Sequence, residues 1–249
     1  MNIDRYFVQL KATKSCKLTY EYQYPLMKLL YQCLENEDTG ISQVFHDNGY
    51  EIDNKKFKLI NTYLLMSDTV FTKDYIQIQP DSTIELMLSG DQKYINLVIK
   101  GLIKMENINL CNCNFQITSM KQDQNIKFKK QMLYKVLSQV VESTYNNKIE
   151  YLNPYQQQFY SALAQNLKRK YQLVYNEEYQ DELFFDIENI LSVKKKKIQN
   201  IKGNGYKVGY GNFNIWIEAS PKMQKIAYYT GLGQANFLGA GTLIYLTSN

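Results

Sequence analysis

The amino-acid sequence predicts an α+β protein of two tandem ferredoxin-like (βαββαβ, RRM-like) domains, with a glycine-rich loop near the C-terminus. Two observations carry this. Strand and helix periodicities follow the order β-α-β-β-α-β twice along the chain, and 249 residues are enough to bury two small cores. The division falls near residue 126, giving an N-terminal domain over 1–126 and a C-terminal domain over 127–249.

In the first half, residues 6–11 read as a strand. A helix starts at Pro25, whose fixed φ suits a first helical position, and Leu26, Leu29, Leu30, Cys33 and Leu34 form its apolar stripe. Residues 38–56 are polar and punctuated by glycine, so they read as a loop around a short helical turn. Strands over 57–65, 70–79 and 83–88, a helix over 92–104 and a strand over 109–119 complete the unit. The second half repeats the order. A strand near 135–142 precedes a helix opened by Asn153 as N-cap and Pro154 at the first helical position. Tyr155, Phe159, Leu163, Leu167 and Tyr171 recur along it every four residues. Strands near 183–187, 194–201 and 207–217, a short helix at 221–229 and a strand at 242–246 follow.

A hydrophobic share of 45% and a charged share of 21% exclude wholesale disorder. The net charge of +5 is unevenly spread. Residues 1–127 hold 14 Lys and Arg against 15 Asp and Glu, whereas 128–249 hold 15 against 9. A positive field confined to one half favours a polyanionic partner. The four cysteines do not form a disulfide framework for so long a chain, and Cys111 and Cys113, two apart, would share one side of a strand. No paired ligand spacing suggests a metal site, and no carboxylate cluster suits two-metal phosphoryl chemistry. The start MNIDRYFVQL lacks a signal-peptide core and no apolar run is long enough for a bilayer, so the expectation is a cytoplasmic protein without membrane contact.

The stretch GLGQANFLGAG is the most specific in the chain. Asn236 stands where a GxGxxG fingerprint needs glycine, and no GK[ST] follows. Gly231, Gly233, Gly239 and Gly241 nevertheless space a loop between a helix and a final strand, where glycine permits positive φ and close approach of backbone N–H groups to an anion. The alternative is a tight helix-to-strand connection. This spacing resembles the closing signature of the RAMP superfamily, and within it the CRISPR-associated protein six family, which trims precursor CRISPR RNA within each repeat. Ala240 replaces the usual aromatic between the last two glycines. NPYQQQFYSALAQNLKRKY resembles the family's second-domain helix, and FHDNGYEIDNKKFKLINTY the segment bearing its active-site His and a following Lys. The resemblance thus spans nearly the whole chain.

Cutting RNA without a metal needs a base for the 2′-hydroxyl, an acid for the leaving 5′-oxygen and positive charge for the phosphorane. His46 is the only histidine, with a side chain suited to proton transfer near neutrality. It sits in the segment Phe45-His46-Asp47-Asn48-Gly49, at the family's catalytic place. Tyr31 lies on the first helix away from its apolar stripe. The resemblance implies that it assists proton transfer beside His46 and that Lys58 stabilises charge, with Lys56 in reserve and Lys55 behind it. Which of His46 and Tyr31 is acid and which is base stays open. The run Lys194, Lys195, Lys196 and Lys197, with Lys202, Lys207, Lys222 and Lys225, is the densest positive region, opposed between 189 and 225 only by Glu218. It is expected to meet phosphates. Gly203, Gly205, Gly209 and Gly211 are expected to bend a hairpin.

The reading is a metal-independent, cofactor-free endoribonuclease that binds CRISPR repeat RNA and cuts it once, leaving a 2′,3′-cyclic phosphate and a 5′-hydroxyl. The rival is a RAMP-type subunit that holds guide RNA without cutting it. Effector-complex subunits and a second copy of the chain stay open as further partners.

Overall fold

In a computed structural model, which describes residues 1–47, 49–123, 126–199 and 206–246, two units of the same connectivity follow one another. The first sheet is built on Ile3–Ala12, Ile60–Leu65, Thr83–Asp91 and Cys113–Gln122. These four lie in the spatial order second, third, first, fourth, with Ile108–Leu110 added at the edge. The second sheet places Gln131–Val136, Phe184–Glu188, Asn214–Glu218 and Leu243–Tyr245 in the same order. All neighbours are antiparallel, as in Tyr6 opposite Leu88 and Leu133 opposite Trp216. This is the expected ferredoxin-like arrangement, formed twice.

Among the described residues, five α-helices accompany the sheets: α1 (Gln23–Glu37), α2 (Thr39–Asp47), α3 (Gln92–Ile103), α4 (Gln157–Tyr175) and α5 (Pro221–Thr230). The α1 stripe is buried as expected, through Leu26, Leu29, Leu30, Cys33 and Leu34. Gly101 of α3 passes α1 so closely that a Cβ there would lie 2.6 Å from the Cys33 carbonyl oxygen, which explains a glycine inside a helix. On α5, Ser220 caps the N-terminus by accepting from the Met223 N–H, and Pro221 follows it.

The two cores interlock. Phe237 of the second half packs in the first core, and Ile3, Phe57 and Leu59 of the first half pack in the second. Arg5 stitches the halves further. Fully buried, it stacks on the Tyr228 ring at 3.6 Å and donates to the carbonyls of Leu243 (3.0 Å) and Tyr228. Asp123, 4.0 Å away, supplies the counter-charge.

Several local expectations are corrected. Residues 38–56 hold more regular structure than a loop around a short helical turn: the turn is the full helix α2, and a hairpin of Tyr50–Ile52 with Lys55–Phe57 follows it, with Phe45 buried in the first core. Asn153 and Pro154 do not start a helix. Asn153 Oδ1 accepts from the Tyr155 N–H (3.0 Å) and its carbonyl from the Gln156 N–H (3.0 Å), making a turn that leaves Tyr155 exposed before α4. Gly209 and Gly211 lie inside the strand Tyr206–Gly211, where a Cβ on Gly209 would come within 2.7 Å of Gln139 Cβ. Cys16 and Cys113 form a disulfide that joins strands of two different sheets in the first half, with Cα atoms 5.5 Å apart. Cys111 sits in a left-handed turn (φ 52°) and does not share a strand with Cys113. Gly203, Gly205 and Lys202 lie outside the described residues.

Candidate active site and its glycine-rich wall

Between the two halves lies a cleft of about 870 Å³. Lys55, Lys56 and Lys58 of the first half and Arg169 and Lys207 of the second line it, together with Gly233–Leu238. The cationic lining recruits lysines from both halves, not from the second alone. Among the described residues no helix is long and apolar enough to cross a membrane.

Lys58 directly follows the strand Lys55–Phe57, and its Nζ donates to the Tyr31 hydroxyl of α1. Tyr31 is half-buried and faces Phe45 of α2 (ring centroids 5.9 Å) and Phe237 of the glycine loop (5.1 Å), so it leaves the apolar stripe for a different packed surface. Burial pushes the Tyr31 phenol up to about 12, with help from the Asp47 carboxylate. Burial pulls the Lys58 ammonium down to about 8, against the attraction of Asp47. Each group therefore keeps its proton at neutral pH, and Lys58 keeps its charge.

His46 lies in the last turn of α2, between the buried Phe45 and the exposed Asp47; its side chain is outside the described residues. Its two neighbours bracket the pair, since the Phe45 ring lies 5.3 Å from Lys58 Nζ and Asp47 faces Lys58 electrostatically. Lys56 Nζ donates to the Asp47 carbonyl (2.9 Å) and so caps the helix that carries His46. A helix end, not a polar loop, presents the histidine.

All four loop glycines have positive φ, from 65° at Gly233 to 81° at Gly239. A Cβ on Gly241 would lie 1.8 Å from the Leu232 carbonyl oxygen, and one on Gly233 would lie 2.5 Å from that of Val141. The Gly231, Gly239 and Gly241 N–H groups donate to the carbonyls of Ala227, Asn236 and Gln139. Those three amides are turned inward. Gly231, Gly233 and Gly241 are buried, and Gly239 is half-buried.

A side chain that the sequence reading missed organises this loop. Lys170 of α4, fully buried, donates to the carbonyls of Gly231 (2.8 Å) and Gly233 (3.1 Å) and to Asn236 Oδ1 (2.8 Å). Burial lowers its affinity for a proton and raises that of the facing Glu142 carboxyl. Asn61 of the first sheet donates to the Ala240 carbonyl (2.8 Å) and accepts from Thr242 Oγ1 (2.8 Å). The signal for Lys170 was present: it sits three residues after Leu167 and four before Val174, on the buried face of α4.

The family model described as CRISPR associated protein Cas6, C-terminal, matches residues 120–244, half of the chain. The chain belongs to the Cas6 family. It is 23% identical over 244 residues to the CRISPR-associated endoribonuclease Cas6 1 of Methanocaldococcus jannaschii, covering 95% of this chain and 91% of that one. A solved Cas6-related protein from Pyrococcus furiosus superposes with a TM-score of 0.82 at 16% identity, over all of both chains. A RAMP protein described as binding different RNA substrates superposes at 0.81 and 17% identity, over 98% of this chain and all of that one.

In this Cas6-family chain the lysine run forms the strand Lys194–Gln199, paired with Tyr206–Gly211. All four lysines are exposed, and Lys197 Nζ lies 4.4 Å from the Tyr206 ring. Lys196 lines a second, smaller groove of about 350 Å³ that also touches Leu238 and Gly239. Leu238 lines both, so the glycine loop forms a ridge between the groove bearing Lys196 and the cleft bearing Lys58.

Proposed function

We propose that the protein is a metal-independent endoribonuclease that cleaves precursor CRISPR RNA within the repeat. The observation that supports this most directly is the Lys58–Tyr31 pair, caged by aromatic rings next to the helix end of His46 and opening on a cleft lined by lysines from both halves. The curated relative is itself named an endoribonuclease.

In the mechanism proposed, the scissile phosphate lies over Lys58, whose ammonium offsets the charge that develops on the phosphorane. Tyr31, holding its proton at neutrality, is the donor, and the base role falls to His46. His46 takes the 2′-hydroxyl proton as the 2′-oxygen attacks phosphorus. The bond to the 5′-oxygen breaks, and that oxygen leaves with a proton from Tyr31. The products are a 2′,3′-cyclic phosphate and a 5′-hydroxyl, and solvent resets both proton carriers. The exposed run Lys194 to Lys197, of which Lys196 lines the second groove, guides the flanking RNA backbone, and the glycine loop lines its path.

The test is pure protein with an end-labelled repeat RNA. Cleavage is expected to survive EDTA and to stop when the scissile sugar is 2′-deoxy. Loss of activity on chelation, restored by magnesium, would overturn the mechanism. Binding without any cleavage would favour the rival reading of a guide-RNA-holding subunit.

A further inference from the structure

The glycine loop is marked in the sequence by its glycines, but the side chains that tie it to the reacting groups are Asn236, Phe237 and Lys170. Phe237 crosses into the first core, with its ring 5.1 Å from Tyr31 and 5.3 Å from Phe45, both edge-on. Its carbonyl accepts from Thr62 Oγ1 at 3.3 Å. Around Lys58 Nζ, the rings of Tyr31, Phe45 and Phe237 stand at 4.7, 5.3 and 5.7 Å. Ring faces favour the cation, whereas exclusion of water disfavours it. Burial holds the Lys58 ammonium below the ordinary lysine range, against the attraction of Asp47.

Asn236 fixes where Phe237 points. Its Oδ1 accepts from Lys170, and its Nδ2 donates to the carbonyls of Leu232 and Ala240, each at 3.0 Å. Lys170 directs its remaining protons to the Gly231 and Gly233 carbonyls, so one ammonium ties the first two glycines to the residue before Phe237. A buried lysine is costly unless its donors are satisfied, and here three acceptors within 3.1 Å satisfy them. The loop shape therefore depends on a side chain of α4.

We infer that Lys170 and Phe237 are positioning residues for the cleavage reaction: Lys170 holds the glycine loop in shape, and the loop uses Phe237 to close the aromatic cage that aims Lys58 and Tyr31. This rests on the endoribonuclease reading and adds to it that the second half builds part of a catalytic centre whose reacting groups all belong to the first.

The variants are Phe237→Ala, Phe237→Leu (which keeps an apolar side chain should the alanine variant unfold) and Lys170→Met. Three quantities are measured: affinity for a repeat RNA with a 2′-deoxy scissile sugar, the single-turnover cleavage rate, and the Lys58 titration followed by NMR on RNA-free protein. Of the titratable groups on the elements packed around Lys58, Tyr31 of α1 accepts its hydrogen bond and Asp47 of α2 attracts its charge; His46 precedes Asp47 on α2, and Lys55 and Lys56 lie on the strand before it. In Phe237→Leu the rate at neutral pH is expected to fall about tenfold or more, as for a misaimed reacting group, with RNA affinity within about threefold of the parent. The Lys58 midpoint moves up from about 8 toward an ordinary lysine, because water reaches the ammonium. The alkaline fall in rate, where Lys58 loses its charge, moves up with it. Lys170→Met shows the same loss of rate at preserved affinity. A folded Phe237→Leu protein with parental rate and parental Lys58 midpoint would overturn the proposal. Should the parent cut no RNA, the endoribonuclease reading fails. The NMR midpoint, measured without RNA, still decides whether Phe237 governs Lys58.

Discussion

The two halves share one core topology and use it differently at one equivalent place, the connection from the second helix to the last strand. In the first half, residues 104–112 leave α3, add the edge strand Ile108–Leu110 to their own sheet and turn through Cys111 and Asn112 (φ 52° and 65°). In the second half, residues 231–242 leave α5, add no strand and send Phe237 into the opposite core. One connection completes its own unit and the other completes its neighbour's. The same fold can thus serve as scaffold in one copy and as a tool in the other, with function carried by the graft and not by the topology.

The comparison is broken most severely by removing the group that the second connection is proposed to serve. His46→Ala is expected to lower cleavage by about 10²–10⁴-fold while RNA affinity persists. Asn109→Ala, an exposed change in the first connection, is expected to leave the rate within about threefold. Quench-flow or gel-based single-turnover assays on both variants check this. Near-parental cutting by the histidine variant would remove His46 from the chemistry.

A second set of variants tests how tightly the second connection is built. Gly241→Ala forces a Cβ to within 1.8 Å of the Leu232 carbonyl oxygen at a φ of 68°, so it is expected to destabilise the protein by about 3 kcal/mol or more. Gly239 has more room, with its Cβ position 2.9 Å from the Thr62 carbonyl oxygen, so Gly239→Ala is expected to cost less. If the loop lines the RNA path, Gly239→Asp binds the repeat far more weakly than Gly239→Ala, through repulsion of phosphate. Thermal melting beside a binding isotherm separates the two effects. Equal melting and equal affinity for both Gly239 variants would leave the loop a purely structural latch.

Much of this difference was legible in the sequence. The α1 stripe from Leu26 to Leu34 is the buried face of that helix, and the glycine spacing marks the loop. Local pattern is enough where one face of one element meets the core. It failed at α2, where a polar, glycine-flanked stretch folds as a helix because Phe45 reaches aromatic neighbours from three distant segments. It failed again at Asn153 and Pro154, where side-chain and backbone hydrogen bonds favour a turn over a helix start. Lys170 was not singled out: helical spacing puts it on the buried face of α4, but its acceptors lie about 60 residues away in sequence, where no local pattern shows them. His46, Tyr31 and Lys58 were proposed through family resemblance. What no pattern in the chain supplied was the aromatic cage that joins Tyr31 and Lys58 to Phe237.

The smallest expected effect concerns charge that lies beyond either connection. Lys194, Lys195, Lys196 and Lys197 are exposed on one strand, and Lys196 lines the groove on the far side of the glycine ridge from Lys58. The strand alternates its side chains, so Lys194 and Lys196 share the face of Gly209 and Gly211, while Lys195 and Lys197 share that of Tyr210 and Val208. Only one of these faces can meet the groove. Replacing all four with Gln is therefore expected to remove about two phosphate contacts, not four. For single-stranded RNA each lost contact flattens the log–log salt dependence of affinity by about 0.7, so the slope should change by about 1.4. The split variants sharpen this. Lys194→Gln with Lys196→Gln should account for most of the change, and Lys195→Gln with Lys197→Gln for little of it. Cleavage of bound RNA should be unaffected in both, since the ridge separates these lysines from Tyr31 and Lys58. Fluorescence anisotropy over a salt series reads the slope directly. Equal contributions from the two pairs would mean that the RNA wraps the strand instead of following the groove, and an unchanged slope would mean that the run is only solvated.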